Sequence, residues 1–321
     1  MKTVLVTGAN GFVGRALCAE LREREFAVRG VVRDFSCREE CGFEVVKIAD
    51  IDASTEWVGA LRGIDTVIHL AARVHVMNDT VADPLAEFRR VNTAGTEHLA
   101  RCAAASGVKR LIYASSIKVN GEATFGGHKF SEADPPAPQD HYGVSKWEAE
   151  QALLRVAAET GLEVVIVRPP LVYGPGVKGN FINLLAAIDK GIPLPLAGAH
   201  NARSLVYVGN LVDALIVCAT HPAAAGQTFL IRDGMDVSTA LLMEKIAESL
   251  GRGSRSFYFP HSLLHAAAAV LGRSEQMDRL FGSLCVCDAK IRNKLGWVPP
   301  YTLEQGLNAT ANWYRSQHSR R

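Results

Sequence analysis

The chain has no surplus of charge. Its 35 basic and 33 acidic side chains leave a formal +2 over 321 residues, and neither sign gathers into a long run. A nucleic-acid-binding surface needs a basic patch or stripe, so no nucleic-acid partner is expected. Long hydrophobic runs are also missing. The longest apolar stretch, around residues 265–271, falls short of the ~20 residues that span a bilayer and reads as helix core. The apolar start at residues 4–6 runs straight into a turn, unlike a secretory signal. A soluble, cytoplasmic protein is expected, with no membrane partner.

Cysteines are few and unordered. Cys18, Cys37, Cys41, Cys102, Cys218, Cys285 and Cys287 are odd in number and irregular in spacing, which argues against a disulfide framework. Cys285-x-Cys287 has neither a second pair nor a nearby His to complete a zinc site, so no metal is expected. Internal repeats and low-complexity linkers are absent too.

What is present is a regular alternation. At 48% hydrophobic residues, the chain can bury a full core. Short apolar runs at 4–6, 28–32, 44–48, 66–70, 110–114 and 164–168 read as strands, and amphipathic segments at 12–24, 92–106 and 142–160 read as helices between them. Alternation of this kind predicts a Rossmann-like, doubly wound α/β fold with a parallel sheet covered on both faces. After Pro169 the pattern is interrupted by Pro170, Gly174, Pro175, Gly176, Gly179, Pro193 and Pro195. We therefore expect residues 1–168 to form mainly a dinucleotide-binding domain. Residues 169–321 should form mainly a smaller lobe, partly interwoven with the first, with helices near 211–218 and 239–250.

The loop Gly8-Ala-Asn-Gly11-Phe12-Val13-Gly14 lies between the first strand and the first helix. Glycines allow a tight turn and close approach of backbone to a pyrophosphate. The helix N-terminus then offers unpaired N–H groups and partial positive charge to the anion. Nicotinamide cofactor choice is read at the end of the second strand, where an NAD site carries Asp or Glu for the ribose 2′-OH. Here Val32 and then Arg33 stand in that place. A guanidinium pairs with a 2′-phosphate, so NADP is expected ahead of NAD, although Asp34 follows directly.

Tyr142 and Lys146 are four residues apart at the start of a helix and share one face. A nearby ammonium favours a phenolate and should lower the Tyr142 pKa, allowing proton exchange with a substrate hydroxyl or carbonyl. Ser116, just past the strand at 110–114, can hydrogen-bond an oxygen on which negative charge develops.

Thr7, the Gly-x-x-Gly-x-x-Gly spacing, Ser116 and Tyr142-x-x-x-Lys146 together resemble the extended short-chain dehydrogenase/reductases. Five further segments narrow the resemblance to the nucleotide-sugar epimerase/dehydratase/reductase family: Ser116–Gly121, Arg168–Pro175, Asn92-x-x-Gly95-Thr96, Arg203–Asp213 and Leu295-Gly-Trp297. It covers about residues 1–315. The resemblance implies that Ser116 orients substrate, that Tyr142 is the acid/base, and that Lys146 holds the ribose. It implies that Asp50 and Ile51 flank the adenine, that Leu70, Ala71 and Ala72 let the cofactor pass close to the sheet, and that Pro169 borders the cofactor. Asn180 and Arg203 would contact the pyrophosphate of a UDP-sugar, with Arg279 as a second phosphate contact. Asn120, where the family often has Tyr, and Lys118 beside it depart from the pattern and are expected to alter the sugar pocket. A homodimer through a four-helix bundle is implied, built on the helices at 92–106 and 142–160, with Ala100, Ala103, Ala149 and Leu153 helping to make the packed face.

For activity, the run from Val108 to Pro175 resembles the 4-ketoreductases of O-antigen and capsule synthesis. These reduce UDP-linked 4-keto-6-deoxy sugars of the N-acetylquinovosamine and N-acetylfucosamine type and are often labelled UDP-glucose 4-epimerases. NADPH-dependent reduction at C4 is the first expectation, and a UDP-hexose 4-epimerase with tightly bound NAD is the alternative. A non-catalytic NADP sensor on the same fold would need a broken trio, whereas Ser116, Tyr142 and Lys146 are all present.

Overall fold

The computed structural model describes residues 2–34, 42–74, 83–260, 263–265 and 280–318. The strands are β1 (Thr3–Thr7), β2 (Ala27–Val32), β3 (Glu44–Lys47), β4 (Thr66–His69), β5 (Arg110–Ala114), β6 (Glu163–Arg168), β7 (Leu171–Tyr173), β8 (Leu205–Tyr207) and β9 (Thr228–Leu230). The helices are α1 (Phe12–Glu23), α2 (Val58–Leu61), α3 (Pro84–Phe88), α4 (Gly95–Ala105), α5 (His141–Thr160), α6 (Asn180–Asp189), α7 (Val208–Thr220), α8 (Thr239–Ser249), α9 (Ala289–Leu295) and α10 (Leu303–His318). Most of the expected strands and helices form within a residue or two of their predicted ends. The helix expected near 211–218 starts three residues earlier, at Val208, and the helix expected from Asn92 begins only at Gly95, because Arg89–Ala94 is a π-helical turn.

Seven strands make one parallel sheet in the order β3-β2-β1-β4-β5-β6-β9. The chain runs outward from β1 to β3 and then returns to β4 on the other side of β1, so the order reverses between β1 and β4. In an open α/β sheet the crevice at the carboxyl ends of such strands is where ligands bind. The ends here are Thr7–Gly8, His69–Leu70, Ala114–Ser115 and Arg168–Pro169. Strands such as Val164–Val167 are buried on both faces, as covered parallel strands require. On one face Val4, Val6, Ile68, Val165 and Val167 pack with Leu17 of α1 and Leu211 and Leu215 of α7. On the other, Leu5, Val67, Leu111 and Ile166 pack with α4 and α5.

The later part of the chain returns to this sheet. β9 pairs with β6 in parallel, α7 packs on α1, and β7 and β8 form a separate two-stranded ladder. A third apolar cluster brings Phe181 and Leu185 of α6, Leu242 and Ile246 of α8, and Leu307 and Tyr314 of α10 around Tyr173.

The expected dimer face is corrected by this packing. Ala100, Ala103, Ala149 and Leu153 are each 0% exposed and belong to the chain's own core against the sheet. Small side chains let α4 and α5 sit close to the strands, so these positions are not available to a second copy. The outward residues of the two helices include Arg101, Leu154, Arg155 and Glu159. Among the described residues, no helix is long and apolar enough to cross a membrane.

Candidate active site

The glycine loop closes the crevice at β1. Gly8 adopts φ +69° in the left-handed region, and a Cβ there would stand 3.1 Å from the Ala71 nitrogen. A Cβ on Gly14 would lie 2.1 Å from the Gly8 carbonyl oxygen, so α1 can start this close to the turn only with glycine. Gly11 is the N-cap, and among the described residues no side-chain cap hydrogen bond forms there. The N–H groups of that first turn therefore lack a side-chain acceptor. An uncapped helix N-terminus behind a turn with glycine at positions 8 and 11 fits a dinucleotide pyrophosphate.

The neighbouring crossover after β4 is held by a buried relay. The Thr7 Oγ1 accepts from the Leu70 and Ala71 N–H groups at 3.1 Å each. Its own hydrogen is thus donated to His69 Nδ1 at 2.6 Å, and His69 Nε2–H donates to Thr96 Oγ1 at 3.0 Å. Burial, followed by the nearby Lys146, lowers the His69 pKa to about 3, so the ring stays neutral and the relay keeps its polarity. Ala72 continues the half-buried stretch that follows Leu70 and Ala71.

Past β3, Asp50 accepts from the Ile51 N–H at 2.9 Å and from Arg90 at 2.6 Å. A Cβ on Gly95 would meet Ile51 Cγ2 at 2.8 Å, which accounts for glycine there. Arg33 is exposed just past β2.

Ser116, Tyr142 and Lys146 converge at the carboxyl end of β5. The Ser115 N–H donates to Val167 O at 2.8 Å and the Ile117 N–H to Pro169 O at 3.0 Å, so the turn is stitched to the end of β6. The Ser116 hydroxyl oxygen accepts from the Lys118 N–H at 3.2 Å. Asp140 caps α5 by accepting from the Gly143 N–H at 2.7 Å, a favourable N-cap. Asn92, in the π-helical turn, bonds both Arg73 backbone groups and donates to Ser145 Oγ at 3.0 Å. The turn thereby ties the β4 crossover to the helix of Tyr142.

The proton affinities correct the sequence expectation. Lys146 does not lower the Tyr142 pKa. Burial raises it, the Asp140 charge raises it further, and Lys146 is itself pushed down to about 7 by burial, partly offset by Glu150. The Lys146 ammonium donates to Ala114 O at 2.7 Å and sits 4.4 Å from the Tyr113 ring centre, against 5.8 Å for Tyr142. Desolvation of both groups outweighs their mutual effect, so Tyr142 rests as a neutral phenol, a proton donor.

A stability consequence follows for Lys146. Its folded pKa of about 7 lies below the ordinary 10.5, so between these values the unfolded chain binds more protons and folding stability rises with pH. Below about 7 both states are protonated and the contribution is flat. Lys146→Met should show a smaller gain in stability between pH 7 and pH 9 than the parent chain, read by denaturant unfolding at the two pH values.

Behind the serines lies a buried ion pair. Glu150 accepts from Arg168 Nη2 at 2.5 Å and Nε at 2.9 Å, and from the Ser115 hydroxyl. Arg168 Nη1 also donates to Asn120 Oδ1 at 2.9 Å. Asn120 is 1% exposed and donates to Ser131 O at 3.0 Å. It therefore serves the scaffold under the turn.

Of the expected substrate contacts, Asn180 is exposed in the first turn of α6. Arg203 donates to Gly282 O at 3.0 Å, and its backbone bridges Val237 and Leu284. Arg279 lies outside the described residues. Sequence reading missed the parts played by Arg90, Asp140, Glu150 and Arg168. Only Asp140 left a local signal, an aspartate directly before a helix.

A doubly wound sheet with a glycine loop at β1, and a serine, tyrosine and lysine gathered at β5 and α5, defines a short-chain dehydrogenase/reductase. The chain belongs to the NAD dependent epimerase/dehydratase family, which it matches over residues 4–231. It is 44% identical to a UDP-glucose 4-epimerase of Vibrio cholerae, over 99% of this chain and 97% of the relative. It is 30% identical to an N-acetyl-alpha-D-glucosaminyl-diphospho-ditrans,octacis-undecaprenol 4-epimerase of Escherichia coli O157:H7, over 97% and 94% of the two chains. Among solved structures, MoeE5 in complex with UDP-glucuronic acid and NAD superposes with a TM-score of 0.77 at 29% identity, covering 98% of this chain and 99% of that one.

Proposed function

We propose that this enzyme is a cytoplasmic UDP-sugar 4-epimerase that keeps NAD bound through turnover. The observation that carries this reading is the full-length likeness to the Vibrio cholerae UDP-glucose 4-epimerase. It reverses the order of the two activities expected from sequence, where C4 reduction with NADPH came first. The related MoeE5, solved in complex with UDP-glucuronic acid and NAD, supports the cofactor assignment.

In this reading the uncapped first turn of α1 and the Gly8–Gly14 loop hold the pyrophosphate. Asp50 and Ile51 border the adenine, with Leu70, Ala71, Ala72 and Pro169 lining the rest of the path. When bound, the nicotinamide supplies reversible hydride acceptance and, in its oxidised form, a positive charge. Tyr142 exchanges a proton with the sugar C4 oxygen, Ser116 donates a hydrogen bond to that oxygen, and Lys146 holds the ribose. Asn180 and Arg203 are the candidates for the nucleotide diphosphate.

One observation favours the second reading, an NADPH-dependent 4-ketoreductase of cell-surface polysaccharide synthesis. Arg33, and not a carboxylate, stands directly past β2, and a guanidinium suits a 2′-phosphate. The deciding measurement is the nucleotide released on denaturing the purified protein, followed by an assay for UDP-glucose and UDP-galactose interconversion without added cofactor. Stoichiometric NAD and cofactor-free interconversion are expected. A protein that comes empty and consumes NADPH would establish the reductase instead. Sedimentation of the same preparation should give a dimer, formed through the outward faces of α4 and α5, and a monomer at micromolar concentration would refute that assembly.

A further inference from the structure

The turn carrying Ser116 and the helix carrying Tyr142 meet at one point. A Cβ on Gly143, in the first turn of α5, would stand 2.9 Å from the Lys118 carbonyl oxygen and 3.1 Å from Pro138 Cβ, so two backbones touch there. The Val119 carbonyl accepts from the Ala137 N–H at 2.9 Å, joining the turn to the segment that leads into α5. Across this contact the Lys118 ammonium is paired with the Asp140 carboxylate and reaches Glu122 at 3.0 Å. The other Asp140 oxygen caps α5, two residues before Tyr142.

We propose that Lys118 is a positioning residue of this site. By clamping Asp140 it fixes the Ser116 turn against the first turn of α5 and screens Tyr142 from the Asp140 charge. The proposal rests on the reading of Tyr142 as the proton-exchanging group. Lys118 acts through Asp140.

The charges around Tyr142 show why the screen matters. Lys146 faces it from α5, Tyr113 from β5, and the Phe88 ring from α3, with the Arg73 guanidinium 5.5 Å from that ring. Glu150 acts on Lys146, and Lys146 acts in turn on His69. After burial, the Asp140 charge is the influence that raises the proton affinity of Tyr142, and Lys118 lies against that charge.

The test is the pH profile of kcat and KM for the enzyme with its bound dinucleotide, compared with K118M, K118R, D140N and K118M/D140N. In K118M the limb set by Tyr142 should move up by roughly 0.5–1 on the pH scale, the size expected of one charge no longer screened near the protein surface. K118R should keep the parent profile, and D140N should move the limb down. In the D140N background K118M should move the limb less than it does in the parent, because the part exerted through Asp140 is then absent. A loss of kcat that is equal at every pH and persists in the D140N background would mean a purely structural lysine and overturn the proposal. Should K118M fail to fold, an unmoved limb in D140N alone overturns it.

A second readout separates this idea from the epimerase reading. In protein labelled with 3-fluorotyrosine, the Tyr142 resonance, assigned by its loss in Y142F, titrates without any turnover. Midpoints ordered K118M above parent above D140N support the proposal even if no UDP-sugar is epimerised, while equal midpoints refute it even if epimerisation is confirmed.

Discussion

Tyr142→Phe should lower turnover by ~10²–10⁴-fold, the contribution of a positioned acid/base, and leave dinucleotide affinity essentially unchanged. The substitution removes one hydroxyl. The ring keeps its edge contact with Phe88, centroids 6.3 Å apart, and the Asp140 cap of α5 is untouched because it bonds the Gly143 N–H. Loop Gly8–Gly14 and the Thr7–His69–Thr96 relay lie on other elements, so cofactor binding has no reason to fail. Burial holds Tyr142 protonated in this structure, so the phenol serves directly in the half-reaction that reduces a C4 ketone and must first lose its proton in the half-reaction that oxidises a C4 alcohol; the substitution removes the group that carries the proton in both. The measurement is kcat beside fluorescence titration with NADH. Unchanged kcat would remove Tyr142 from the chemistry, and lost binding would mean that the ring holds the cofactor site together.

The second large effect concerns stability. Glu150→Ala should destabilise the fold by ~3–5 kcal/mol, the usual cost of leaving one partner of a buried ion pair alone. Here the Arg168 side chain is 6% exposed and the Glu150 side chain 1% exposed. Without Glu150, the Arg168 guanidinium would keep Asn120 as a bonded partner but lose its counter-charge, and the Ser115 hydroxyl would lose its acceptor. The damage lies directly under the Ser116 turn, so kcat/KM should fall as well. Denaturant unfolding gives the first number and steady-state kinetics the second. A change in stability below ~1 kcal/mol would show that water reaches the guanidinium, contrary to the burial seen here.

The two effects differ in how far they could be foreseen. The Tyr142 position was readable because Tyr and Lys four apart share a helix face, and because a serine turn and a glycine loop precede them at the right intervals. The Glu150–Arg168 pair was not. Its members lie 18 residues apart, on a helix and a strand, and each alone reads as an ordinary charge in an amphipathic segment. Their burial depends on how α5 lies across β6.

The same boundary runs through the rest of the protein. Order of strands and helices along the chain and the glycine requirement at the first turn came from the sequence alone, because they depend on local periodicity and backbone conformation. Tertiary structure decided which side of α4 and α5 turns inward, placing Ala100, Ala103, Ala149 and Leu153 in the chain's own core. It made His69 the middle of a relay, put Asn120 in the scaffold, and set Lys118 on Asp140. It also decided the proton affinity of Tyr142, which burial and the Asp140 charge raise. A pKa follows the competition between nearby charge and lost hydration, and hydration is lost only to neighbours that folding brings from distant parts of the chain.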